Sequence, residues 1–340
     1  MYIMIFPGVT VACFFLCAIA AGWIVFTLVA GYIVYSSCFT INHVNLEPKP
    51  LRDAEKKSVL YAHTKDPRIM DPINAAKERW FKNRDAGMFD SLSVVSREGL
   101  NLVGYYWPVA ARAEAERRWV ILVHGMMDSA AGMGYLAEEY HAAGWNVLSV
   151  DQRAHGESEG KRRTMGVREG DDLTLWVSAL INRYEADCIY LHGVSMGGAA
   201  VLLYAVRSDI PAAVKGFISD SGYARHDAVF TRLLKLATGS RFVAASLTIG
   251  ASVASFCLTG IGFWRMAPEK YLSAIARPVL LFHGQDDALV PIGMVRKMHG
   301  LPMKPGSESV VIPDAAHIGP YFCAKALYLQ KIEDFYRRSR

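Results

Sequence analysis

The sequence lacks any cysteine pattern that would bind a metal or build a disulfide framework. Six cysteines occur among 340 residues, and no two of them form a C-x-x-C pair. Three fall in the apolar N-terminal segment and three lie far apart in the rest of the chain: Cys13, Cys17, Cys38, Cys188, Cys257 and Cys323. This scatter argues against zinc-finger and disulfide-stapled classes and favours a reducing compartment. We expect neither a metal nor a cofactor.

A strong charge of either sign is also absent. The chain has 37 Lys and Arg against 32 Asp and Glu, a formal net charge of +5, and the two signs are interspersed. The one short basic cluster, Lys161–Arg163, is typical of a solvated loop, with a contact to anionic headgroups as the alternative. No nucleic-acid motif is visible, so nucleic acid is not expected as a partner.

Charged side chains are missing altogether from Ile3 to Thr40. A helix needs only about 20 apolar residues to cross a bilayer, so this stretch is more than long enough. The alternative, a cleaved signal peptide, would have a basic start and a shorter apolar core. The sequence therefore predicts a single-pass anchor in the cell membrane over residues 1–40.

Basic residues follow the predicted anchor: Lys49, Arg52, Lys56 and Lys57. They favour a cytoplasmic location for the rest of the chain. Large domains can cross a membrane regardless of such charges, so the side of the membrane stays open.

Residues 41–90 combine four prolines with mixed charges and predict a juxtamembrane linker with a short helix from Asn74 to Phe81. Residues 91–340 are long enough for one large α/β domain. Apolar and alternating runs predict its strands: a hairpin over 91–106, then 119–123, 146–150, 189–191, 215–219, 278–283 and 309–312. Helices are predicted between them: 131–143, 168–183, the stretch after Gly197, and 320–336.

The stretch from Cys188 to Leu203 reads as a strand, a sharp turn and a helix, with Gly193-Val-Ser195-Met-Gly197 at the turn. A serine at such an apex is held in a strained conformation that exposes its hydroxyl above the sheet edge. The flanking glycines are needed because side chains there would collide with the neighbouring strand and helix. A glycine-rich turn with an ordinary surface serine is the alternative.

A serine nucleophile needs a base, and the base needs a carboxylate that orients it. Downstream, one apolar strand ends in a loop with Asp286 and Asp287, and the next ends in a loop with His317. The order Ser, Asp, His and the strand-end context both match a nucleophile elbow with its two partners. The sequence therefore predicts Ser195 as nucleophile and His317 as base.

These motifs resemble the α/β-hydrolase superfamily over roughly residues 90–335, and most closely its bacterial serine aminopeptidase-like branch. The matching stretches are VHGMMDSA (123–130), DQRAHGESEG (151–160), GVSMGG (193–198) and HGQDDALVP (283–291). The resemblance implies an α/β fold: a mostly parallel sheet of about eight strands, helices on both faces and a small apolar cap.

The resemblance also assigns residues. The family pattern H-G-x-x-D-x-x-V-P selects Asp287 rather than Asp286 as the triad acid, with Asp220, at the end of an earlier strand, as the alternative. The oxyanion hole is expected to consist of the backbone N–H groups of Met126 and Met196. Each such donor lowers the barrier by roughly 3 kcal/mol.

Three further polar residues, Asp151, His155 and Ser158, lie close together in the loop 151–160. A second catalytic set is one interpretation, but the family uses this loop as a hydrogen-bonded brace, so structural roles are expected for Asp151 and Arg153. His192 and His283 are expected to be packed residues at strand ends.

Residues 222–268 interrupt the alternation of strands and helices and predict a cap over the active site. Phe242 to Trp264 is uncharged and long enough for a second transmembrane helix. A single crossing there would separate Ser195 from Asp287 and His317, so we prefer an apolar cap that lines an acyl pocket. Simple helical packing over the sheet is the alternative.

The expected function is hydrolysis of carboxylic esters, with an apolar and lipid-derived acyl group, through an acyl-enzyme. A peptidase or thioesterase would use the same triad. A non-catalytic binding protein is disfavoured because all three triad positions are filled, and a dehalogenase or epoxide hydrolase because the elbow carries Ser195 in place of an aspartate. The oligomeric state stays open.

Overall fold

The computed structural model describes residues 7–40, 66–109, 118–300 and 304–339, with side chains from residue 16 onward. The basic residues between positions 49 and 57 and the first part of the predicted linker lie outside the described residues.

Within the described residues, eight strands form one sheet: β1 (Asp90–Val95), β2 (Asn101–Trp107), β3 (Arg118–Val123), β4 (Asn146–Val150), β5 (Cys188–Val194), β6 (Val214–Asp220), β7 (Val279–Gly284) and β8 (Glu308–Ile312). Their order is β1-β2-β4-β3-β5-β6-β7-β8. β1, β2 and β4 pair antiparallel, and all other neighbours are parallel. The predicted fold class, an α/β protein with a mostly parallel eight-stranded sheet, is confirmed.

Helices flank the sheet: α1 (Pro7–Phe39), α2 (Pro67–Asp85), α3 (Gly134–Ala142), α4 (Val167–Tyr184), α5 (Met196–Ala205), α6 (His226–Thr238), α7 (Arg241–Thr259), α8 (Ile292–His299), α9 (Pro320–Cys323) and α10 (Lys325–Ser339). The helix predicted over 320–336 is interrupted at Ala324, whose φ of −142° and ψ of 51° are not helical.

Two apolar cores lie on the two faces of the sheet. The first core contains Ile121 and Val123 of β3 and is covered by α4, α5 and the cap helices. The second core, on the other face, contains Val120 and Leu122 and is covered by α2, α3 and α10. A strand that is buried on both faces reads as a continuous apolar run, which is why these strands were visible in the sequence.

Helix α2 is longer than the predicted Asn74–Phe81 segment. It begins at Pro67, because the Asp66 carboxylate accepts the Arg68 N–H at 3.0 Å and proline is well suited to the first helical position. Residues at helical spacing on one face are buried against the second core: Ile69, Ile73, Ala76 and Trp80. The helical part of the predicted linker therefore packs on the domain.

The second half of α1 packs along α7. Gly31 and Gly250 lie so close that a Cβ on Gly31 would be 2.4 Å from the Gly250 backbone. Further along α1, Tyr35 and Phe39 are buried, and the Phe39 ring contacts Phe230 of α6. The end of the predicted anchor is therefore part of the first core.

Candidate active site

Ser195 lies at the turn between β5 and α5 with φ of 55° and ψ of −116°, a strained conformation for a residue other than glycine. The neighbouring glycines make the turn possible. A Cβ on Gly193 would lie 2.2 Å from the Gly197 carbonyl oxygen, and one on Gly197 would lie 2.1 Å from the Val123 carbonyl oxygen. Both contacts are with backbone atoms that cannot rotate away. The collisions expected from the sequence are thus present.

The structure brings Ser195, His317 and Asp287 together. The Nδ1 atom of His317 lies 2.7 Å from Asp287 Oδ2, and its Nε2 lies 2.9 Å from Ser195 Oγ. An ionised carboxylate can only accept, so Nδ1 donates to Asp287 and Nε2 is left to accept the serine hydroxyl proton. This is the geometry in which a histidine acts as a general base.

Electrostatics favour the protonated form of this histidine. Burial alone would disfavour the charged imidazole, but the charge and hydrogen bond of Asp287, with the charge of Asp220, outweigh burial and raise the pKa of His317. For Asp287, burial raises the pKa, and the charge and hydrogen bond of His317, with further contacts, lower it overall. The pair therefore favours the imidazolium–carboxylate state that forms when the serine proton is transferred.

The structure distinguishes the two candidate carboxylates in the loop after β7. Asp287 is buried, and its Oδ1 accepts the N–H groups of Leu289 at 2.9 Å and Val290 at 2.7 Å, while Asp286 is exposed. His283 donates its Nε2 hydrogen to the Val290 carbonyl at 2.8 Å. Asp287 is thus the carboxylate that meets His317, and His283 is packed beside it.

Asp220, the alternative acid, is fully buried and has other partners. Its Oδ1 accepts from the Ser221 hydroxyl at 2.8 Å and its Oδ2 from the Tyr328 hydroxyl at 2.9 Å. Burial raises the pKa of Asp220 to about 6, although the two hydrogen bonds oppose this rise. Tyr328, on α10, was not foreseen, because nothing in a helical apolar face distinguishes it from an ordinary core tyrosine.

Met126 and Met196, the predicted oxyanion donors, lie on the two chain segments that border Ser195. Met196 is the first residue of α5, where N–H groups have no partner within the helix. Met126 follows Gly125, and a Cβ on Gly125 would lie 3.4 Å from Ser195 Cβ. The oxyanion role of these two residues stays a prediction.

The loop 151–160 supports its neighbours through buried hydrogen bonds. Asp151 accepts the N–H groups of Ala130 at 2.7 Å and Glu157 at 2.8 Å, and the Ser158 hydroxyl donates to the Asp151 carbonyl at 2.6 Å. Arg153 forms a buried bidentate pair with Asp172 at 2.6 and 2.7 Å. These contacts match the expected brace.

His155 belongs to the same brace. Burial lowers the pKa of His155 and favours its neutral form, in which Nδ1 donates to the Arg153 carbonyl at 3.0 Å. Nε2 therefore carries no proton and accepts the N–H of Met127 at 3.4 Å, in the turn that carries Met126. The loop 151–160 therefore supports the turn after β3, and its residues Asp151, His155 and Ser158 are engaged in structural hydrogen bonds.

The cap helices lie over the same edge of the sheet as the three side chains. The Arg232 guanidinium of α6 donates to the Ala288 carbonyl at 2.7 Å, directly beside Asp287. Most large buried side chains of the cap are apolar or aromatic: Val229, Phe230, Leu247, Ile261, Phe263 and Met266. Five buried polar residues lie among them: His226, Ser246, Thr248, Ser255 and Thr259. Half of α7 is buried, and its length and composition would also suit a membrane span.

A cavity of about 220 Å³ lies elsewhere, at the first residue of β7. It is lined by Leu272, Ser273, Ile275, Arg277, Val279, Lys304 and Pro305. Ser195, Asp287 and His317 follow the carboxyl ends of their strands, so this cavity belongs to the opposite edge of the sheet and has no part in their chemistry.

Comparisons with known proteins agree with this architecture. Residues 114–255 match the family model described as serine aminopeptidase, S33. The uncharacterized protein YqkD of Bacillus subtilis is 28% identical over 221 residues, which are 64% of this chain and 70% of that protein. A monoacylglycerol lipase of Mycolicibacterium smegmatis is 26% identical over 203 residues, 51% of this chain and 71% of that protein.

Among solved structures, the esterase Pf2001 of Pyrococcus furiosus matches with a TM-score of 0.58 at 23% identity, over 76% of this chain and 94% of that one. At this identity the match shows that the two chains share a fold.

Proposed function

This chain belongs to the α/β-hydrolase superfamily, and on that premise we propose that it is a serine hydrolase that cleaves carboxylic esters with an apolar acyl group. The observation that carries the proposal is the continuous line of hydrogen bonds from Asp287 through His317 to the hydroxyl of Ser195. A connected acid, base and hydroxyl at an elbow is what activation of a serine requires.

In the proposed mechanism, His317 takes the hydroxyl proton as Ser195 Oγ attacks the carbonyl carbon. The negative charge that develops on the carbonyl oxygen is stabilised by the N–H groups of Met126 and Met196. His317 then protonates the departing alcohol, which leaves an acyl group on Ser195. Water, deprotonated by His317, releases the acid and restores the serine.

Charge pairing supports an ester over a peptide substrate. An aminopeptidase needs a free carboxylate for the substrate N-terminus. Four acidic residues are candidates for this role, Asp227 in the cap and Glu138, Glu139 and Glu157 elsewhere, and each of the four has a cationic partner. Asp227, on α6, accepts two hydrogen bonds from Arg225. The others also lie beside cations: Glu138 at 2.7 Å from Arg79, Glu139 at 2.6 Å from Lys325, and Glu157 at 3.5 Å from Arg84.

The apolar interior of the cap supports an apolar acyl group, because such a group gains about 25 cal/mol for each Å² that it removes from water. The name of one relative, a monoacylglycerol lipase, is consistent with such a substrate. A thioester would react by the same steps, so the acyl part, rather than the leaving group, is what the cap would select.

We also propose that residues 1–40 are a retained membrane anchor, 41–90 a linker, and 91–340 the hydrolase domain with its cap at 222–268. Two described helices, Leu16–Phe39 and Arg241–Thr259, are long and apolar enough to cross a membrane. Removal of the first segment as a signal peptide would take away Tyr35 and Phe39, which are buried in the first core. This supports an anchor that stays with the protein.

The test uses the full-length protein in detergent. Ser195 should react with a fluorophosphonate, and p-nitrophenyl esters from acetyl to palmitoyl should be cleaved, most rapidly those with medium or long chains. Ser195→Ala should abolish both signals, whereas Ser93→Ala, at an exposed position of β1, should change neither. Labelling without ester cleavage would refute the ester proposal, and aminoacyl amides would then be the substrates to try. Absence of both would refute a serine hydrolase.

A further inference from the structure

We propose that Asp220 and Ser221 are positioning residues for His317, which hold its loop and present a second carboxylate to its imidazole. The proposal rests on the proposed function, since it assigns residues to the reaction at Ser195. It gives a role to the carboxylate of Asp220, at the end of β6, next to strand β7, whose loop carries Asp287.

The link to His317 runs through the backbone of the next residue. The N–H of Ile318 donates to the Ser221 hydroxyl at 3.1 Å. Ile318 has φ of 56° and Ser221 has φ of 54°. A positive φ is unusual for any residue other than glycine and particularly unfavourable for a β-branched one, so it persists only where surrounding contacts enforce it. The Ser221 hydroxyl provides one such contact, to Ile318, the residue that follows the base His317.

Ser221 is itself held by Asp220, because its hydroxyl donates to Asp220 Oδ1 while it accepts from Ile318. The other oxygen of Asp220 accepts from Tyr328. Since the Tyr328 proton is used in this bond, the Nε2 of His192 donates to the Tyr328 oxygen at 2.9 Å, and its Nδ1 accepts from Tyr140 at 2.9 Å.

This chain of buried hydrogen bonds ties α3, β5, α10 and β6 to the histidine loop. Its four inner members, Ser221, Asp220, Tyr328 and His192, each have a partner on both sides, which is the condition under which a buried polar network is rigid. The loop of His317 is thus fixed to the centre of the sheet.

The charge of Asp220 acts on the same imidazole. The ionisable groups that bear on His317 are Asp287, in contact, Asp220, on the neighbouring strand, and His283, behind Asp287. Those that bear on Asp220 besides His317 are Tyr328, Tyr135 and Asp287. Above pH 6 a negative Asp220 stabilises the imidazolium that forms during acyl transfer, and it contributes to the raised pKa of His317.

Asp220→Asn removes this charge and keeps the shape. The asparagine oxygen can still accept from Ser221 and its amide can donate to the Tyr328 oxygen. The hydroxyl of Tyr328 then donates to His192, whose other nitrogen donates to Tyr140, so the whole chain of hydrogen bonds can reverse. We expect the acidic limb of kcat/KM for a soluble ester to move to lower pH, by up to about one unit. Asp220 and His317 titrate as a coupled pair, so the limb reports an apparent value.

Ser221→Ala leaves the Ile318 N–H without its partner and loosens the loop. We expect kcat to fall roughly 10- to 100-fold with KM unchanged, because the base is misplaced while the substrate still binds. The control is Ser149→Ala, which removes a buried hydroxyl from β4 and should leave kcat and the pH profile unchanged. Thermal melting shows whether each variant is folded.

The proposal is overturned if folded Asp220→Asn keeps the wild-type pH profile or if folded Ser221→Ala keeps the wild-type kcat. If Asp220→Asn does not fold, Tyr328→Phe replaces it. Loss of the tyrosine donor should raise the pKa of Asp220 and so move the acidic limb of kcat/KM to lower pH. An unmoved acidic limb would overturn the proposal. Failure of the proposed function is distinguishable, because the wild type would then show neither fluorophosphonate labelling nor turnover.

Discussion

Replacing Asp287 by asparagine should lower kcat for ester hydrolysis by about 10⁴, the effect of this exchange in a Ser-His-Asp triad. The structure gives a specific reason. Asp287 Oδ1 accepts two backbone N–H groups, those of Leu289 and Val290. In the variant, only the amide oxygen can take this place, so the NH₂ group must face His317.

The reversed amide then imposes the wrong tautomer on the base. His317 Nδ1 must accept the amide hydrogen, which leaves the ring proton on Nε2, 2.9 Å from Ser195 Oγ. A protonated Nε2 cannot take the serine proton. The expected loss corresponds to about 5 kcal/mol of transition-state stabilisation, at 1.36 kcal/mol for each factor of ten.

The pH dependence provides an independent readout. The wild-type acidic limb should lie above the ordinary histidine value, because Asp287 and Asp220 raise the pKa of His317 against the effect of burial. Activity requires the neutral imidazole, so kcat/KM should fall as the pH drops through this raised pKa. Without the charge of Asp287, any residual activity should show its limb at lower pH.

Stopped-flow measurement of acyl-enzyme formation, together with steady-state rates from pH 5 to pH 9, would test this reasoning. The matched control is Asp286→Asn, one residue away and exposed, which should retain wild-type kinetics. The reasoning is refuted if Asp287→Asn keeps kcat within about tenfold of the wild type. It is equally refuted if Asp286→Asn or Asp220→Asn alone shows the loss of about 10⁴.

Three further predictions concern stability. Gly193→Ala should destabilise the fold by about 3 kcal/mol in urea unfolding, since its Cβ would lie 2.2 Å from a backbone atom. Gly293→Ala, whose Cβ would meet no atom within 4 Å on α8, should not destabilise the fold, because alanine is the better helix former. Equal losses of stability in the two variants would contradict the clash. Arg153→Leu should cost about 3–5 kcal/mol, because it leaves Asp172 buried and unpaired; an unchanged urea midpoint would contradict this. Deletion of residues 1–40 should lower the melting temperature or cause aggregation, because it removes the buried Phe39. Deletion of residues 1–22 keeps Phe39 and should have neither effect. Equal melting temperatures of the two deletion variants would show that α1 adds nothing to the core.

The sheet could be predicted almost completely from the sequence. Strands β3 to β7 are buried on both faces and read as largely apolar runs, whereas the edge strand β8 leaves Val311 exposed. The observed bounds of the strands differ from the predicted ones by a few residues at most. Because the carboxyl ends of parallel strands meet at one edge, the loops after β5, β7 and β8 had to lie near one another. The registers show this directly, with Val194 opposite Asp220 and Gly284 opposite Ile312. The meeting of Ser195, Asp287 and His317 follows from that geometry.

The supporting contacts could not be predicted in the same way. Tyr328 donates to Asp220 across 108 positions of sequence, and a tyrosine on an apolar helix face has the same pattern whether or not its hydroxyl has a buried partner. The sequence does not predict the start of α2, because Pro67 and Pro72 favour an irregular linker. Pro67 is in fact the first residue of a capped helix. In both cases the structure depends on a hydrogen bond made by a side chain, and hydrophobic periodicity does not predict such bonds.

The pairing of α1 with α7 was hidden for a different reason. Each segment, taken alone, satisfies the length and composition of a membrane span, and hydropathy cannot report that two such helices pack on each other. The close approach of Gly31 to Gly250 and the hydrogen bond of 3.2 Å from the Trp23 indole to Ser246 join them. Small residues that let two backbones approach are typical of helix pairs whose outer surfaces are apolar. Since α6, the neighbour of α7, contacts the carbonyl of Ala288 beside Asp287, the proposed anchor and the candidate active site are connected through a single helical cap.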